Sequence, residues 1–265
     1  MVTVRAKQAG NAIVLTDRDV KIISDIADFG LMTREQIRRQ HHFGSVTRIN
    51  ATLLRLVRAR YLSRRFQPTL TGWRRALYYV GPAGAVVVAS GQSPVGQIQR
   101  RRLAQWSDMF VEHQILVNEV RLGFAECRHQ GYCFERWISE SVLRDLGLDI
   151  IPDGYIQYSI EGRTFASFLE LDRGTEPLRR WRQKTAAYLD LAFSGRYEAI
   201  FERRFFRVFV ITTSVRRLEH LRREVAKDTK EIFWFTTVAE VLTQGPVADI
   251  WRRPTESRLH ALTEG

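Results

Sequence analysis

The chain has 265 residues, 41 of them Lys or Arg and 29 Asp or Glu, for a formal net charge of +12. With 45% apolar residues a disordered chain is excluded, and the length suggests two compact domains. The charge is unevenly placed: residues 1–90 hold fifteen basic against five acidic side chains, and residues 91–265 hold twenty-six against twenty-four. No acid occurs between Glu35 and Asp108, whereas thirteen arginines do. An acid-free, arginine-dense stretch of that length points to a surface that meets a polyanion.

Cys127 and Cys133, the two cysteines, make neither a disulfide framework nor a paired Cys-x-x-Cys zinc pattern. The six histidines, the His41–His42 pair included, lack metal-ligand spacing with them. Arg5 and Lys7 are followed by no apolar core of a secretion signal. The apolar run near Ala85–Ala89 is far short of the roughly 18 residues that a membrane span requires. A soluble protein of a reducing compartment is expected, with no membrane partner and no small-molecule cofactor.

Thr16 is placed to cap a helix with Asp17 and Asp19 in its first turn, where the helix dipole favours carboxylates. Its apolar stripe is Val20, Ile23 and Ala27, widened by Ile22, Ile26 and Phe29, and Gly30 ends it. Thr33 and Gln36 form a capping-box pattern opening a short second helix to about His41. Gly44 breaks the chain, and Ser45 caps a third helix running to about Arg60. Its inner stripe is Ile49, Leu53, Leu56 and Val57, and its outer face carries Thr47, Arg48, Thr52, Arg55 and Ala59, with Asn50 near the start. Strand-like segments follow at Tyr61 to Phe66 and Arg74 to Val80, about a turn at Pro68–Gly72, and Gly81–Pro82 opens a short helix ending near Ser90.

Three helices and an arginine-bearing hairpin make a winged helix-turn-helix over residues 15–90. A single helix fills the width of a DNA major groove, where small polar and Arg side chains reach base edges. Thr47, Arg48, Asn50, Thr52, Arg55 and Arg58 are the candidate DNA contacts on the third helix. Arg64, Arg65, Arg74 and Arg75 of the wing are placed to lie against phosphates and add sequence-independent affinity. The alternative use, a winged helix that binds protein, is disfavoured by the arginine density.

Residues 91–106, with Gly91, Pro94, Gly96 and Arg100–Arg102, read as a polar linker. Residues 107–245 read as a mixed α/β unit. Its expected elements are a helix from Asp108 to Gln130, extended segments at Cys133–Ser139, Ile151–Tyr158 and Thr164–Leu171, and a helix from Glu176 to Phe193. A strand at Arg207–Thr212, a Ser214-capped helix to about Asp228, a strand at Ile232–Phe235 and a short helix from Val238 follow. Residues 246–265 read as a weakly ordered tail.

In that order, Pro152–Asp153–Gly154 opens one strand, and Glu170–Leu171–Asp172 closes the next, seventeen residues after Asp153. The pattern resembles the PD-(D/E)XK nuclease core. The expected fold class is thus α/β overall: a winged helix-turn-helix followed by a PD-(D/E)XK-like domain with a mixed central sheet. Neighbouring strands would bring Asp153 and Glu170 to one end of the sheet. There they could share a Mg²⁺ or Mn²⁺ ion that holds a scissile phosphate and activates water. The resemblance implies a further metal-binding glutamate on the first helix, here Glu112 or Glu119. It also implies a lysine two residues after the second acid to stabilise developing negative charge, and the anionic Asp172 stands there instead. Some relatives carry the lysine on the following helix, an arrangement that Lys184 suits. Lys184 precedes Tyr188 by four residues and so resembles the Gln-x-x-x-Tyr pattern of recombination-type nucleases; Arg173 and Arg180 are weaker substitutes. The non-catalytic alternative has Asp153 capping a turn, with Glu170 and Asp172 paired to Arg173, Arg179 or Arg182.

Over residues 15–240 the chain resembles the replication-relaxation family of plasmid and integrative-element proteins. The resemblance rests on Leu15–Asp19, Arg58–Leu62, Tyr78–Gly81, His113 with Asn118, Pro152–Gly154 and Glu170–Thr175. It implies a cytoplasmic, nucleoid- or plasmid-associated protein that binds double-stranded DNA in replication, mobilisation or transcriptional control. It leaves open whether the second domain cuts. The two functions carried forward are such a DNA-binding protein, needing no cofactor, and a metal-dependent endonuclease or nickase. In the latter, Asp153 and Glu170 hold the ion and Lys184 stabilises charge. A symmetric homodimer is the default for a reader of palindromic sites.

Overall fold

Thr16 opens α1 (Asp17–Phe29) through a reciprocal cap: its hydroxyl accepts the Asp19 N–H at 3.2 Å, and Asp19 Oδ2 accepts the Thr16 N–H at 2.9 Å. Ile22, Ile23 and Ile26 are wholly buried, whereas Val20 lies at the edge of the stripe, 38% exposed. Thr33 and Gln36 repeat the device at α2 (Arg34–Gln40), and Ser45 caps α3 (Val46–Arg58). The hairpin β2 (Leu62–Pro68) and β3 (Arg74–Val80) is joined by β1 (Met32–Thr33) into an antiparallel sheet of order β1-β3-β2, and α4 (Pro82–Ser90) follows. β1 is too short for any alternation to announce it.

The computed structural model describes residues 13–68, 74–90 and 106–264. The hairpin tip and nearly all of the expected linker therefore lie outside the described residues. The chain divides into two compact units, Met1–Asn118 and Glu119–Gly265. The division falls inside α5 (Asp108–Ala125), not in the 91–106 segment where the sequence places it. Val111 and Ile115 of α5 are buried with Leu31 and Leu77. Side-chain amides complete the attachment: Gln114 donates to the Phe29 carbonyl at 3.3 Å and Asn118 to the Leu31 carbonyl at 2.6 Å. Phe29 is the last residue of α1 and Leu31 lies two residues past it, so both amides take up backbone carbonyls at the helix end.

The second unit contains β4 (Tyr132–Ser139), α6 (Glu140–Arg144), β5 (Gly154–Ile160), β6 (Arg163–Asp172) and α7 (Leu178–Phe193). It continues through α8 (Arg196–Phe201), β7 (Arg207–Thr212), α9 (Val215–Val225), β8 (Phe233–Thr237) and α10 (Val238–Gln244). The five strands lie in chain order, antiparallel from β4 to β6 and parallel from β6 to β8. The fold is α/β with a mixed central sheet, as the sequence suggests. The core gathers Tyr155, Phe168, Val208, Val210, Phe233 and Phe235 of the sheet with Trp181, Tyr188 and Leu191 of α7 and Leu218 and Leu221 of α9. Gly154 is needed at the head of β5, because a Cβ there would lie 2.2 Å from the Trp137 ring of β4.

The segment after α10 is not the weakly ordered tail expected. Trp251 and Leu262 are fully buried, and Phe235 of β8 forms a bridge with Arg252. Arg222 donates to the carbonyls of Arg253 and Glu256, and Arg207 to those of Leu262 and Glu264. The polar composition hides one aromatic anchor and the arginines elsewhere that take up its backbone carbonyls. Among the described residues no helix is long and apolar enough to cross a membrane.

Candidate functional site

Strand alternation sends Phe168, Glu170 and Asp172 of β6 to one face, and the inner stripe of α7 is Trp181, Lys184, Tyr188 and Leu191. The contacts run in opposite order along the two elements. Asp172 accepts from the Trp181 indole at 2.7 Å, and Phe168 packs on the Tyr188 ring at 5.6 Å. Glu170, between them, accepts from Lys184 Nζ at 2.7 Å through one oxygen and from the Tyr188 hydroxyl at 2.6 Å through the other. Asp153, just ahead of β5, accepts the Leu171 N–H at 2.7 Å, and its own N–H donates to the Leu169 carbonyl at 3.0 Å. Both acids thus sit at the same end of the β5–β6 pair.

Burial dominates the electrostatics here. It pushes the Glu170 carboxyl up to about 7 against the pull of Lys184, and the charge of Asp153 adds to the rise. Burial would lower Lys184, but Glu170 and Glu176 outweigh it and hold the ammonium above its usual range. Burial, with Glu170 beside it, raises the Tyr188 phenol well above its usual value. Asp172 is kept below the carboxylate range because Arg217, the Trp181 indole and the Gly174 N–H outweigh its burial.

The donor chemistry fits a hard divalent cation. Mg²⁺ typically takes only one or two protein carboxylates and keeps several waters. Glu170 is buried with both oxygens already accepting hydrogen bonds, so a cation there would share them with Lys184 and Tyr188. The expected third ligand does not assemble: among the described residues no group of three His, Cys, Asp or Glu is arranged to hold a metal. Glu112 lies 3.5 Å from Arg75 in the first unit, and Glu119 begins the second unit's share of α5. Asp172 pairs with Arg217 at 2.8 Å and Arg182 with Glu224, not with one another. Arg217 comes from α9, far along the chain, and no local pattern marks it.

In the first unit the exposed face of α3 carries Thr47, Arg48, Asn50, Ala51, Leu54 and Arg58, above an inner stripe of Ile49, Leu53 and Leu56. Thr52 and Arg55, expected on that face, are half-buried on its flank. Arg55 is turned inward by Asp19 of α1 at 2.5 Å. Burial would raise Asp19, but Arg55 and the Thr16 cap hold it below the usual range. Arg34 at the head of α2 reaches the Asn50 amide oxygen at 3.4 Å, an exposed neighbour that the sequence did not single out. On the hairpin, Arg64 is exposed and stacks over Phe66 at 4.7 Å. Arg65 and Arg75 lie on the opposite face, paired with Asp108 at 2.9 Å and Glu112 at 3.5 Å of α5. Arg74 opens β3. The expected four-arginine phosphate surface of the wing is thus divided, because successive strand residues point to opposite faces.

The replication-relaxation family profile matches residues 23–203. The chain belongs to the replication-relaxation family. The family match runs from α1 to just beyond α8, and so takes in α3, the hairpin, Asp153, Glu170 and Lys184. No curated protein matches the chain of this replication-relaxation protein. Among solved structures, restriction endonuclease FokI bound to DNA aligns with 88% of this chain and 46% of its own at 12% identity, with a TM-score of 0.26. A structure of restriction endonuclease FokI aligns with 88% of this chain and 45% of its own at 15% identity, with a TM-score of 0.30. The chain spans less than half the length of these proteins, and likenesses of this size fix neither fold nor activity.

Proposed function

We propose that this replication-relaxation protein binds double-stranded DNA through its first unit. In this reading that unit is a winged helix-turn-helix, with α3 in the major groove and Arg64 of the hairpin on the backbone. It would act in the replication, mobilisation or transcriptional control of a plasmid or integrative element. The observation that carries this reading is the exposed face of α3, where Thr47, Arg48, Asn50 and Arg58 stand without an acid among them. Arg and Asn are the side chains that pair bidentately with guanine and adenine edges. Mobility shifts of duplex DNA across a salt series test it. Binding should weaken with salt, the log–log slope should shrink by about 0.9 in Arg64→Ala, and Arg48→Ala or Arg58→Ala should weaken binding and relax sequence preference. Salt-insensitive binding, or variants that bind as the parent does, would sink the reading. Binding as a symmetric homodimer is checked by the stoichiometry of the shifted complex.

A second reading, favoured by the Lys184–Glu170 contact, is that the second unit is a PD-(D/E)XK-like, metal-dependent deoxyribonuclease. A bound Mg²⁺ or Mn²⁺ would supply Lewis-acid chemistry at a phosphate. Asp153 and Glu170 would hold it, and Lys184 would present positive charge to the phosphate oxygens. Supercoiled plasmid incubated with either cation should be nicked or cut, and Asp153→Ala and Glu170→Ala should abolish this. Cleavage that survives both substitutions excludes the site.

A further inference from the structure

Asp172 occupies the place at which the nuclease pattern calls for a lysine, and its surroundings show what it does there. One oxygen accepts the Gly174 N–H at 2.6 Å and Arg217 Nε at 2.8 Å. The other accepts Arg217 Nη2 at 2.8 Å and the Trp181 indole at 2.7 Å. Arg217 Nη2 also donates to the Glu176 carbonyl at 2.5 Å. One guanidinium therefore ties the end of β6 to the last turn of the loop before α7, and the same carboxylate fixes the first inward ring of α7. The products of this bracing converge on Lys184. Glu176 Oε2 lies 2.8 Å from its Nζ, Glu170 Oε2 lies 2.7 Å from it, and the Trp181 ring centre lies 5.0 Å away.

We propose that Asp172, Arg217 and Glu176 are positioning residues for Lys184, replacing by a brace what the pattern supplies by placing the lysine on the strand itself. The proposal rests on the second reading above, in which Lys184 acts at the Asp153–Glu170 site. A lysine on a helix approaches that site on a flexible four-carbon stem, and ordering such a side chain costs rotamer freedom. Glu170 alone would hold the ammonium from one side. Glu176 holds it from another, so Lys184 stays in place when Glu170 is engaged elsewhere.

The chain has five lysines, Lys7, Lys21, Lys184, Lys227 and Lys230, which makes Lys184 easy to follow by acylation mapped with mass spectrometry. The Lys184 side chain is 13% exposed and that of Lys227 is 61% exposed, so the second serves as an internal reference. Glu176→Gln, a near-isosteric change at a half-buried side chain, should speed acylation of Lys184 about tenfold, equivalent to about 1.4 kcal/mol. The other four should be unchanged. Arg217→Lys, which keeps the charge but loses the fork, should act in the same direction with the melting transition still cooperative. An unchanged Lys184 rate in Glu176→Gln overturns the proposal. If the parent cleaves plasmid DNA with Mn²⁺, Glu176→Gln should lower kcat and leave KM for DNA unaltered. Parent protein that does not cleave, with Lys184 still responding to Glu176→Gln, removes the nuclease reading and leaves the brace standing. Cleavage with an unaltered kcat and an unaltered Lys184 rate does the reverse.

Discussion

Arginine plays opposite parts in the two units. In the first, Asp19 holds Arg55, Asp25 lies 3.3 Å from His41, and Asp108 and Glu112 pair with Arg65 and Arg75. The remaining arginines outnumber them, and Arg48, Arg58 and Arg64 stand in water. In the second, the buried acids among the described residues are met by cations: Lys184 on Glu170, Arg217 on Asp172, and Arg182 and Lys227 on Glu224, with Arg252 on the half-buried Glu240. A basic side chain thus becomes a solvent-facing group or an internal brace according to whether an acid is within reach. The +12 of the whole chain hides that difference.

The sharpest way to break the comparison is Lys184→Met. It strands a buried carboxylate, and losing one partner of a buried pair typically costs about 3–5 kcal/mol. Urea denaturation should show a loss toward the low end, because Glu170 can take up a proton instead. Asp19→Ala in the first unit should cost only about 1–2 kcal/mol, mostly the helix cap, since Arg55 is 39% exposed and water can replace its partner. The same variant should retain or gain affinity for duplex DNA by mobility shift, because it releases a cation.

Acidity should separate the units by sign. Burial, reinforced by Lys21, Arg18 and His42, holds His41 down to about 4, and the nearby Asp25 does not reverse this. Between its usual value and about 4 the unfolded chain binds a proton that the folded chain refuses. The first unit therefore loses stability as pH falls through that window. Glu170 behaves oppositely: folded, it keeps its proton up to about 7, so the second unit loses stability as pH rises from the usual carboxylate range to about 7. Denaturation midpoints across pH 4–8 should flatten on the acid side in His41→Gln and on the neutral side in Glu170→Gln. The smallest effects belong to Arg65→Ala and Arg75→Ala. Their partly exposed ion pairs are worth roughly 0–1 kcal/mol, and DNA affinity should fall less than in Arg64→Ala.

Much of the fold is legible in local chemistry. The Thr16 and Thr33 caps, the strand at Arg207–Thr212 and the Ser214 cap all lie where residue type and spacing put them. The short elements β1, α6 and α8 are not legible, because a turn or two of chain carries no period. At the site, spacing nominates Asp153, Glu170 and Lys184, and the structure brings Lys184 onto Glu170. Arg217 could not be nominated, since its contact with Asp172 exists only through the packing of α9 beside α7. Arg55 misleads for a related reason: the helical period puts it near Arg48, but an acid from another helix draws it aside. Arg64 and Arg65 carry their own warning, because neighbours in a strand cannot face the same way.

β8 closes the parallel side of the sheet with the run Phe-Trp-Phe-Thr-Thr, and among the described residues the strip of chain around Arg252 lies beyond it. That strip takes both the N–H and the carbonyl of Phe235 at 2.9 Å. Without it, an apolar strand would offer its unpaired backbone to any other strand of the same kind. The segment around Arg252 therefore covers an edge that would otherwise be open to strand pairing, and a chain shortened after α10 would be expected to precipitate.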